Sequence, residues 1–186
     1  MVELVEPTMA HLPQYRAALE RGWSPSNESK DRMAREELAQ IEKDPAAFVA
    51  FQTDPEAKGP AFTLPDGTQV PRLPGYRRWI WDGEFCGIIG FRWQNGTHEL
   101  PPTCLGHIGY SIVPWKRRRG YATAALGMIL RDVPTRGLKY VEITTDPDNL
   151  GSQRVIVANG GVLHERFTKT AHHGGTESLR YRIYVR

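Results

Sequence analysis

Between Ile112 and Ala122 the chain reads Ile-Val-Pro-Trp-Lys-Arg-Arg-Arg-Gly-Tyr-Ala, which sets four bases and a glycine where an apolar strand hands over to a helix. At such a junction the first helical N–H groups have no partner inside the helix and the helix dipole is positive, so a phosphate can be held there. Gly120 lets the backbone approach a ligand, Ala122 is small enough to do the same one step on, and Arg118 or Arg119 can add a charge-assisted contact. The spacing Arg117-x-x-Gly120-x-Ala122 lacks the Gly-Lys-Ser/Thr ending of a nucleotide-binding P-loop, and no Gly-x-Gly-x-x-Gly occurs. The pattern fits a pyrophosphate other than that of ATP or NAD.

The elements needed to position this turn are legible around it. Leu105 to Val113 reads as a strand, Pro114 to Gly120 as a basic turn, and Tyr121 to Asp132 as a helix with Ala122, Ala125, Leu126, Ile129 and Leu130 at helical spacing. Tyr140 to Thr145 is β-branched and reads as a strand; Leu150 to Asn159 reads as a short helix closed by Gly160-Gly161. Val162 to Phe167 and Leu179 to Val185 are expected as closing strands around the His172-His173-Gly174-Gly175 turn. Upstream, residues 1–7 alternate like a strand, Thr8 is expected to cap a helix bearing Met9, Leu12, Tyr15 and Leu19, and a second helix is expected from Ser29 to Lys43, stopped by Asp44-Pro45. Six prolines between Pro45 and Gly75 predict a structured loop region around a Pro65-Asp66-Gly67 turn. Tyr76 to Trp81 and Phe85 to Trp93, joined at Asp82-Gly83, carry an antiparallel hairpin signature. The order predicts a mixed α/β fold in a single domain spanning 1–186.

Composition narrows the class. With 40% hydrophobic residues in 186, the chain has enough apolar surface to fold, and no apolar run approaches the ~18–20 residues of a membrane span. The stretch Met1 to Pro7 carries acids where a signal peptide carries bases, so a soluble, cytoplasmic protein is expected, with no membrane partner. Cys86 and Cys104 are too few for a disulfide scaffold and are expected as buried or half-buried thiols. A formal net charge of +3 permits an anionic ligand without calling for nucleic acid. His172-His173 lacks a third ligand at suitable spacing, so no metal is expected and a solvated hairpin tip is. Trp79, Trp81 and Trp93 read as core, whereas Trp23 is either core or the wall of an acceptor pocket.

The run Gly106-His107-Ile108-Gly109-Tyr110-Ser111-Ile112-Val113-Pro114 followed by Arg-x-x-Gly-Tyr-Ala resembles the central motif of the GCN5-related N-acetyltransferases (GNAT), in particular a bacterial branch with a Gly-His-Ile-Gly-Tyr-Ser strand. The later Asp146-x-x-Asn149-x-x-Ser152-x-x-Val155-Ile156-x-x-Asn159-Gly160-Gly161 is similar to the second cofactor motif of that family. The resemblance implies a central, mostly antiparallel, splayed mixed sheet flanked by helices, with acetyl-CoA as cosubstrate wedged where the sheet parts. It also implies that backbone groups near Tyr110, Ile112 and Val113 meet the pantetheine arm, that Arg117, Arg118, Arg119, Gly120, Tyr121, Ala122 and Thr123 surround the pyrophosphate, and that Asn149 and Ser152 line the pantetheine side.

Direct acetyl transfer from acetyl-CoA to a primary amine in a ternary complex is the implied reaction, with a small-molecule or peptide amine as acceptor and a monomer or homodimer as the working form. An alkylamine with a pKa near ~10.4 must lose a proton, and the thioester oxygen needs a donor as it gains charge, for which a backbone N–H of the Ile108–Val113 strand suffices. His107 is the nearest candidate base, with Glu84, His98 and Glu99 behind it; the bland reading makes His107 a packing residue. The family's usual tyrosine acid falls at Ile156 here, which leaves Tyr110, Tyr140 or water to protonate the departing thiolate. That departure also motivates a second reading, a non-catalytic acetyl-CoA-binding module of the same fold. A third, a nucleic-acid surface built on Lys116 to Arg119, is disfavoured by the modest overall charge.

Overall fold

The computed structural model describes residues 2–185; Met1 and Arg186 lie outside them. The chain runs through β1 (Glu3–Val5), α1 (Leu12–Glu20), α2 (Lys30–Lys43), α3 (Pro45–Ala50), β2 (Thr53–Asp54), β3 (Phe62–Thr63), β4 (Gln69–Val70), β5 (Gly75–Trp81) and β6 (Phe85–Arg92). It continues through β7 (Ile108–Ile112), α4 (Tyr121–Ile129), β8 (Tyr140–Thr145), α5 (Leu150–Ala158), β9 (Val162–Thr168) and β10 (Glu177–Tyr184). One sheet has the order β1-β5-β6-β7, with β2 sharing the β1 edge of β5; a second has the order β8-β10-β9; β3 and β4 form a small hairpin. All of these pairings are antiparallel.

Two apolar layers hold the sheets. On one face α4 and α5 contribute Ala125, Leu126, Ile129 and Ile156 to a core shared with Ile89, Phe91, Ile143 and Ile183. On the other, α1 and α2 pack on the β5–β6 hairpin through Leu19, Ile41, Ile88 and a group of rings in which Tyr15 stacks on Trp79 at 4.8 Å. Trp23 belongs to this second layer: it is buried and its indole N–H donates to Ser111 Oγ at 3.0 Å. Trp79, Trp81 and Trp93 are core, as their alternation on strands implied, and Cys86 and Cys104 are buried and half-buried free thiols.

Three local expectations need correction. Thr8 does not cap α1: its carbonyl accepts from the N–H groups of His11 and Leu12 in a preceding turn, the helix begins at Leu12 with Pro13 in its first turn, and Met9 is exposed. Asp44-Pro45 ends α2 but also opens α3, because Asp44 accepts the Ala47 N–H and Pro45 occupies the first helical position, where its missing N–H costs nothing. The regular part of β7 starts at Ile108 rather than Leu105: the His107 carbonyl still accepts the Arg92 N–H of β6, but its own N–H turns to the other sheet.

That departure joins the two sheets. The His107 N–H donates to the Glu142 carbonyl at 2.7 Å, and the Glu142 N–H donates to His107 Nδ1 at 3.0 Å. Gly106 lies so close to β8 that a Cβ there would stand 3.0 Å from the Glu142 carbonyl oxygen. Past this pinch β7 and β8 diverge. The turn after β7 is anchored separately: the Lys116 ammonium donates to Asp82 Oδ1 at 2.6 Å and to Glu84 at 2.9 Å, and the Tyr121 hydroxyl donates to Asp82 Oδ2 at 2.6 Å. Against the opposing pull of burial, Lys116 and Tyr121 hold the Asp82 carboxyl well below the ordinary carboxylate range.

Two stability measurements follow. Burial, helped by the charge of Arg92, pushes the His107 ring down to about 4. The unfolded chain therefore takes up a proton that the folded ring refuses as pH falls from 6.5 towards 4, and stability falls with it. In urea denaturation the wild type should lose on the order of 3 kcal/mol more than His107→Gln between pH 7 and pH 4; equal losses would mean that His107 is not held neutral. Lys116→Met, which leaves the mostly buried Asp82 carboxylate with the Tyr121 hydroxyl and the Glu84 N–H as partners and no counter-charge, should cost about 2 kcal/mol at pH 7 in the same assay.

Candidate active site

The divergence of β7 from β8 opens a groove, part of a cavity of about 1470 Å³ that runs from the N-terminus of α4 across the sheet face to α2 and the β3–β4 hairpin. At its basic end Gly120 is the N-cap of α4, with φ +77°, and Arg118 also has φ +60°. Only glycine takes that conformation at position 120 without steric cost. The first bond inside α4 runs from the Ala124 N–H to the Gly120 carbonyl at 3.0 Å, so the amides of Tyr121, Ala122 and Thr123 have no acceptor within the helix. Alternating left-handed residues followed by free helical amides form an anion-binding concavity. Its floor is backbone, and its rim carries the exposed Arg117 and Arg118.

The residues expected here divide into two groups. Ile112, Arg117, Arg118, Gly120, Tyr121, Ala122 and Thr123 line the cavity from the β7–α4 side, and Asn149 and Ser152 line it from α5. Asn149 caps α5 by accepting the Ser152 N–H at 3.0 Å, which fixes the wall opposite β7. Two others face elsewhere. Val113 is fully buried in the α1–α2 layer and spends its N–H on the Cys86 carbonyl, and Arg119 is exposed outside the cavity. Within the lining, the Tyr121 phenol points at Asp82, which leaves its backbone for the groove.

On β7 the peptide groups alternate. Bonds to β6 at His107 and Val113, in register with Gly90↔Gly109 and Ile88↔Ser111, turn the N–H and C=O of Tyr110 and Ile112 towards the gap. The exposed carbonyl of Ile112 is met by Arg117 Nε at 3.2 Å. The Tyr110 side chain reaches across the gap, with its hydroxyl 2.9 Å from Ser152 Oγ, and burial pushes its pKa up to about 12. It is a proton donor throughout the neutral range. Tyr140, the other phenol considered, stacks on His98 outside the cavity, and Ile156 is buried in the core.

His107, expected as the proton relay, has no exposed surface. Its Nδ1 lone pair is engaged by the Glu142 amide, so the neutral ring carries its proton on Nε2, which has no partner among the described residues. No lone pair is left to receive a proton from a substrate. Glu84 is tied to Lys116, and His98 Nε2 accepts the Lys139 N–H at 3.0 Å; neither they nor Glu99 line the cavity.

Sequence reasoning missed the roof. His173, expected on a solvated tip, is mostly buried, with Nδ1 3.0 Å from Glu28 and Nε2 3.1 Å from the Thr103 carbonyl. His172 Nδ1 pairs with Asp66 Oδ2 at 2.6 Å, and together with the Thr68 amide it holds Asp66 down to about 2. Lys169 joins Glu28 at 3.1 Å to Asp146 at 2.7 Å, and Arg32 reaches the Leu64 carbonyl at 2.6 Å. These contacts bind the β9–β10 connection and the β3–β4 hairpin to the α1–α2 loop over the far end of the groove. Each carboxylate partner lies more than 100 residues from its histidine, which no local spacing reveals.

Comparison with known proteins agrees with this geometry. No curated protein sequence matches the chain. Among solved structures, RimL, a ribosomal alpha-N-protein acetyltransferase in complex with coenzyme A, superposes with a TM-score of 0.64 at 13% identity, covering 99% of this chain and 94% of that one. The microcin C7 self-immunity acetyltransferase MccE, in complex with acetyl-CoA and AMP, gives 0.62 at 13% identity over 99% and 92%. RimJ of Mycobacterium smegmatis, in complex with a CoA disulfide, gives 0.62 at 20% identity over 99% and 82%. At these identities the likeness is one of fold. The profile of the acetyltransferase (GNAT) domain matches residues 21–162, a span that holds the pinch, the groove and the anion-binding turn, and the chain therefore belongs to the GNAT acetyltransferase family.

Proposed function

We propose that the chain acts as one acetyltransferase domain that moves the acetyl group of acetyl-CoA directly to a primary amine. The observation that carries this reading is the coincidence of a backbone anion site at Gly120 with a strand edge at Tyr110 and Ile112 whose peptide groups face an open gap. The free amides of α4 would hold the cosubstrate's pyrophosphate, and Arg117 and Arg118 would add charge from the rim. The Ile112 and Tyr110 peptides would pair with the pantetheine amides as an added strand. Asn149 and Ser152 would bound the same arm from α5.

The chemistry then asks three things of the protein. The thioester oxygen gains charge as the amine attacks, and the Tyr110 N–H is the fixed donor on the gap-facing edge of β7. The departing thiolate needs a proton, and the Tyr110 hydroxyl, held beside Ser152 on the helix whose inner face carries Ile156, is the donor within the groove. A thiol has a pKa near ~8.5, so its departure demands little help and the acid contributes modestly. The amine must arrive neutral, and with His107 sealed in the pinch, its proton would leave through groove water. The fold also suits an acetyl-CoA-binding module without turnover; release of free CoA thiol when acetyl-CoA is incubated with a panel of amines separates the two.

Calorimetry should detect acetyl-CoA binding to the wild type and at least tenfold weaker binding to Gly120→Ala, whose added methyl is strained at φ +77°. Heat from the wild type equal to that from buffer would end the proposal. Tyr110→Phe should lower kcat about tenfold while leaving the KM for acetyl-CoA unchanged. The pH–rate profile of the wild type should climb with amine deprotonation above pH 7 and should keep its shape in His107→Gln; an inflection lost in that variant would restore His107 as the base.

A further inference from the structure

The acceptor side of the groove has a floor of unusual composition. On the face of the first sheet turned towards α1 and α2, one cross-strand row reads Arg77–Gly90–Gly109 and the next reads Gly75–Arg92–His107. Three of these positions carry no side chain, so the cavity reaches down to the strands themselves. Of the two arginines, Arg77 is spoken for: it donates to Glu37 Oε1 at 2.9 Å and to the Tyr15 hydroxyl at 3.3 Å. Nearby Arg72 lies 3.9 Å from Asp54 and donates to the Pro60 carbonyl at 3.2 Å.

Arg92 differs. It is half-buried, lines the same cavity, and makes no hydrogen bond or ion pair through its guanidinium among the described residues. The fork lies across the floor, with Nη2 2.9 Å from the point where a Cβ on Gly109 would stand. Any side chain at position 109 would displace it. The other cavity-lining cations without an anionic partner, Lys30, Lys43, Arg117, Arg118 and Arg154, are exposed at the rim, where water solvates them. A guanidinium on the floor of the cavity, with its donors unspent and no carboxylate within 4 Å, is matched by a planar oxyanion that takes two parallel hydrogen bonds. Gly109 directly precedes Tyr110, whose N–H would meet the thioester oxygen, so Arg92 stands over the strand position next to the one where the acetyl group would be held.

Resting on the acetyltransferase reading above, we infer that the acceptor is an amine bearing a carboxylate a few bonds from its nitrogen, and that Arg92 is the residue that binds this carboxylate. The open floor at Gly90, beside the Arg92 fork that covers Gly109, takes the body of such a short molecule, and His173 lines the far end of the same cavity. A folded protein's lysine or a long peptide amine carries no carboxylate at that distance from its nitrogen.

The test uses the whole protein, acetyl-CoA and matched acceptors: the common L-α-amino acids, their carboxamides, phosphoethanolamine and a tripeptide. At least one amino acid should be acetylated with kcat/KM about a hundredfold above its carboxamide. Arg92→Gln should remove that preference by raising KM for the acid at least tenfold, with a much smaller effect on the carboxamide and none on the affinity for acetyl-CoA, and Arg92→Lys should recover part of the loss. Equal use of acid and amide by the wild type, a preference for the tripeptide or for phosphoethanolamine, or an Arg92→Gln defect that is the same for both members of a pair would overturn the inference. If acetyl-CoA binds but no acceptor is acetylated, transfer itself fails; thermal stabilisation of the CoA-bound protein by an acid over its amide, lost in Arg92→Gln, then still decides for or against the Arg92 subsite.

Discussion

Everything in the groove depends on the chain bonding to β8 at His107, just before β7, with no β7–β8 hydrogen bond beyond that point among the described residues. The two hydrogen bonds between His107 and Glu142, with Gly106 pressed against the neighbouring backbone, fix the sheets at the base of a wedge. A continuous ladder would satisfy the Tyr110 and Ile112 peptides within the protein and leave no gap. A looser junction would let α4 and α5 slide together over an unfilled space, because a void among packed apolar side chains forfeits dispersion contacts. The buried imidazole contributes because it is neutral: it accepts a peptide N–H as a β-partner's carbonyl would, while its ring fills the space from which the strand has departed. The pinch is therefore both the reason the groove exists and the reason this histidine is removed from solvent chemistry.

The anion site above the pinch is made of backbone, and backbone donors need rigid support to be useful. Support comes from beneath. Lys116, Tyr121 and Asp82 tie the turn and the first residue of α4 to the β5–β6 hairpin, so the orientation of the free amides is set by the first sheet and not by the arginines that flank them. Donors already aimed at an anion lose little freedom when it binds, which is how a site with few direct charges can hold a diphosphate. The run of bases thus splits by role: Lys116 is structural, Arg117 braces the Ile112 carbonyl, Arg118 shares the rim of the cavity with it, and Arg119 remains outside.

How far the sequence could be read follows from the range of the interactions involved. The β7–turn–α4 unit, the β5–β6 hairpin, β8 and α5 were legible because their periodicity and turn chemistry are local, and the glycine at 120 declares itself by position. The α1 boundary was misplaced because a Thr-x-x-His turn and a helix cap use the same residue types. The role of His107 could not be read: strand histidines look alike until the partner, here a backbone amide 35 residues away, is known. The roof was invisible for the same reason, as His172 and His173 find carboxylates on the β3–β4 hairpin and the α1–α2 loop. Both are long-range pairings for which the chain near Gly174-Gly175 carries no signal beyond flexibility.

One strand serves both halves of the proposed reaction. In a β-strand the peptide groups lie in the plane of the sheet and the side chains stand perpendicular to it, so β7 can offer Tyr110 and Ile112 amides sideways to a thioester arm while Gly109 and Ser111 face the acceptor layer. The relative position of the two substrates is then set by the covalent geometry of one strand, which is far stiffer than any contact between loops. Acceptor choice, by contrast, falls to side chains on β5, β6 and the roof, and none of these touches the anion-binding turn. Arg92 and the glycines beside it could change without disturbing the cosubstrate's cradle. That separation explains why the turn is legible in local sequence, whereas acceptor choice is written in side chains that only the folded sheet brings together.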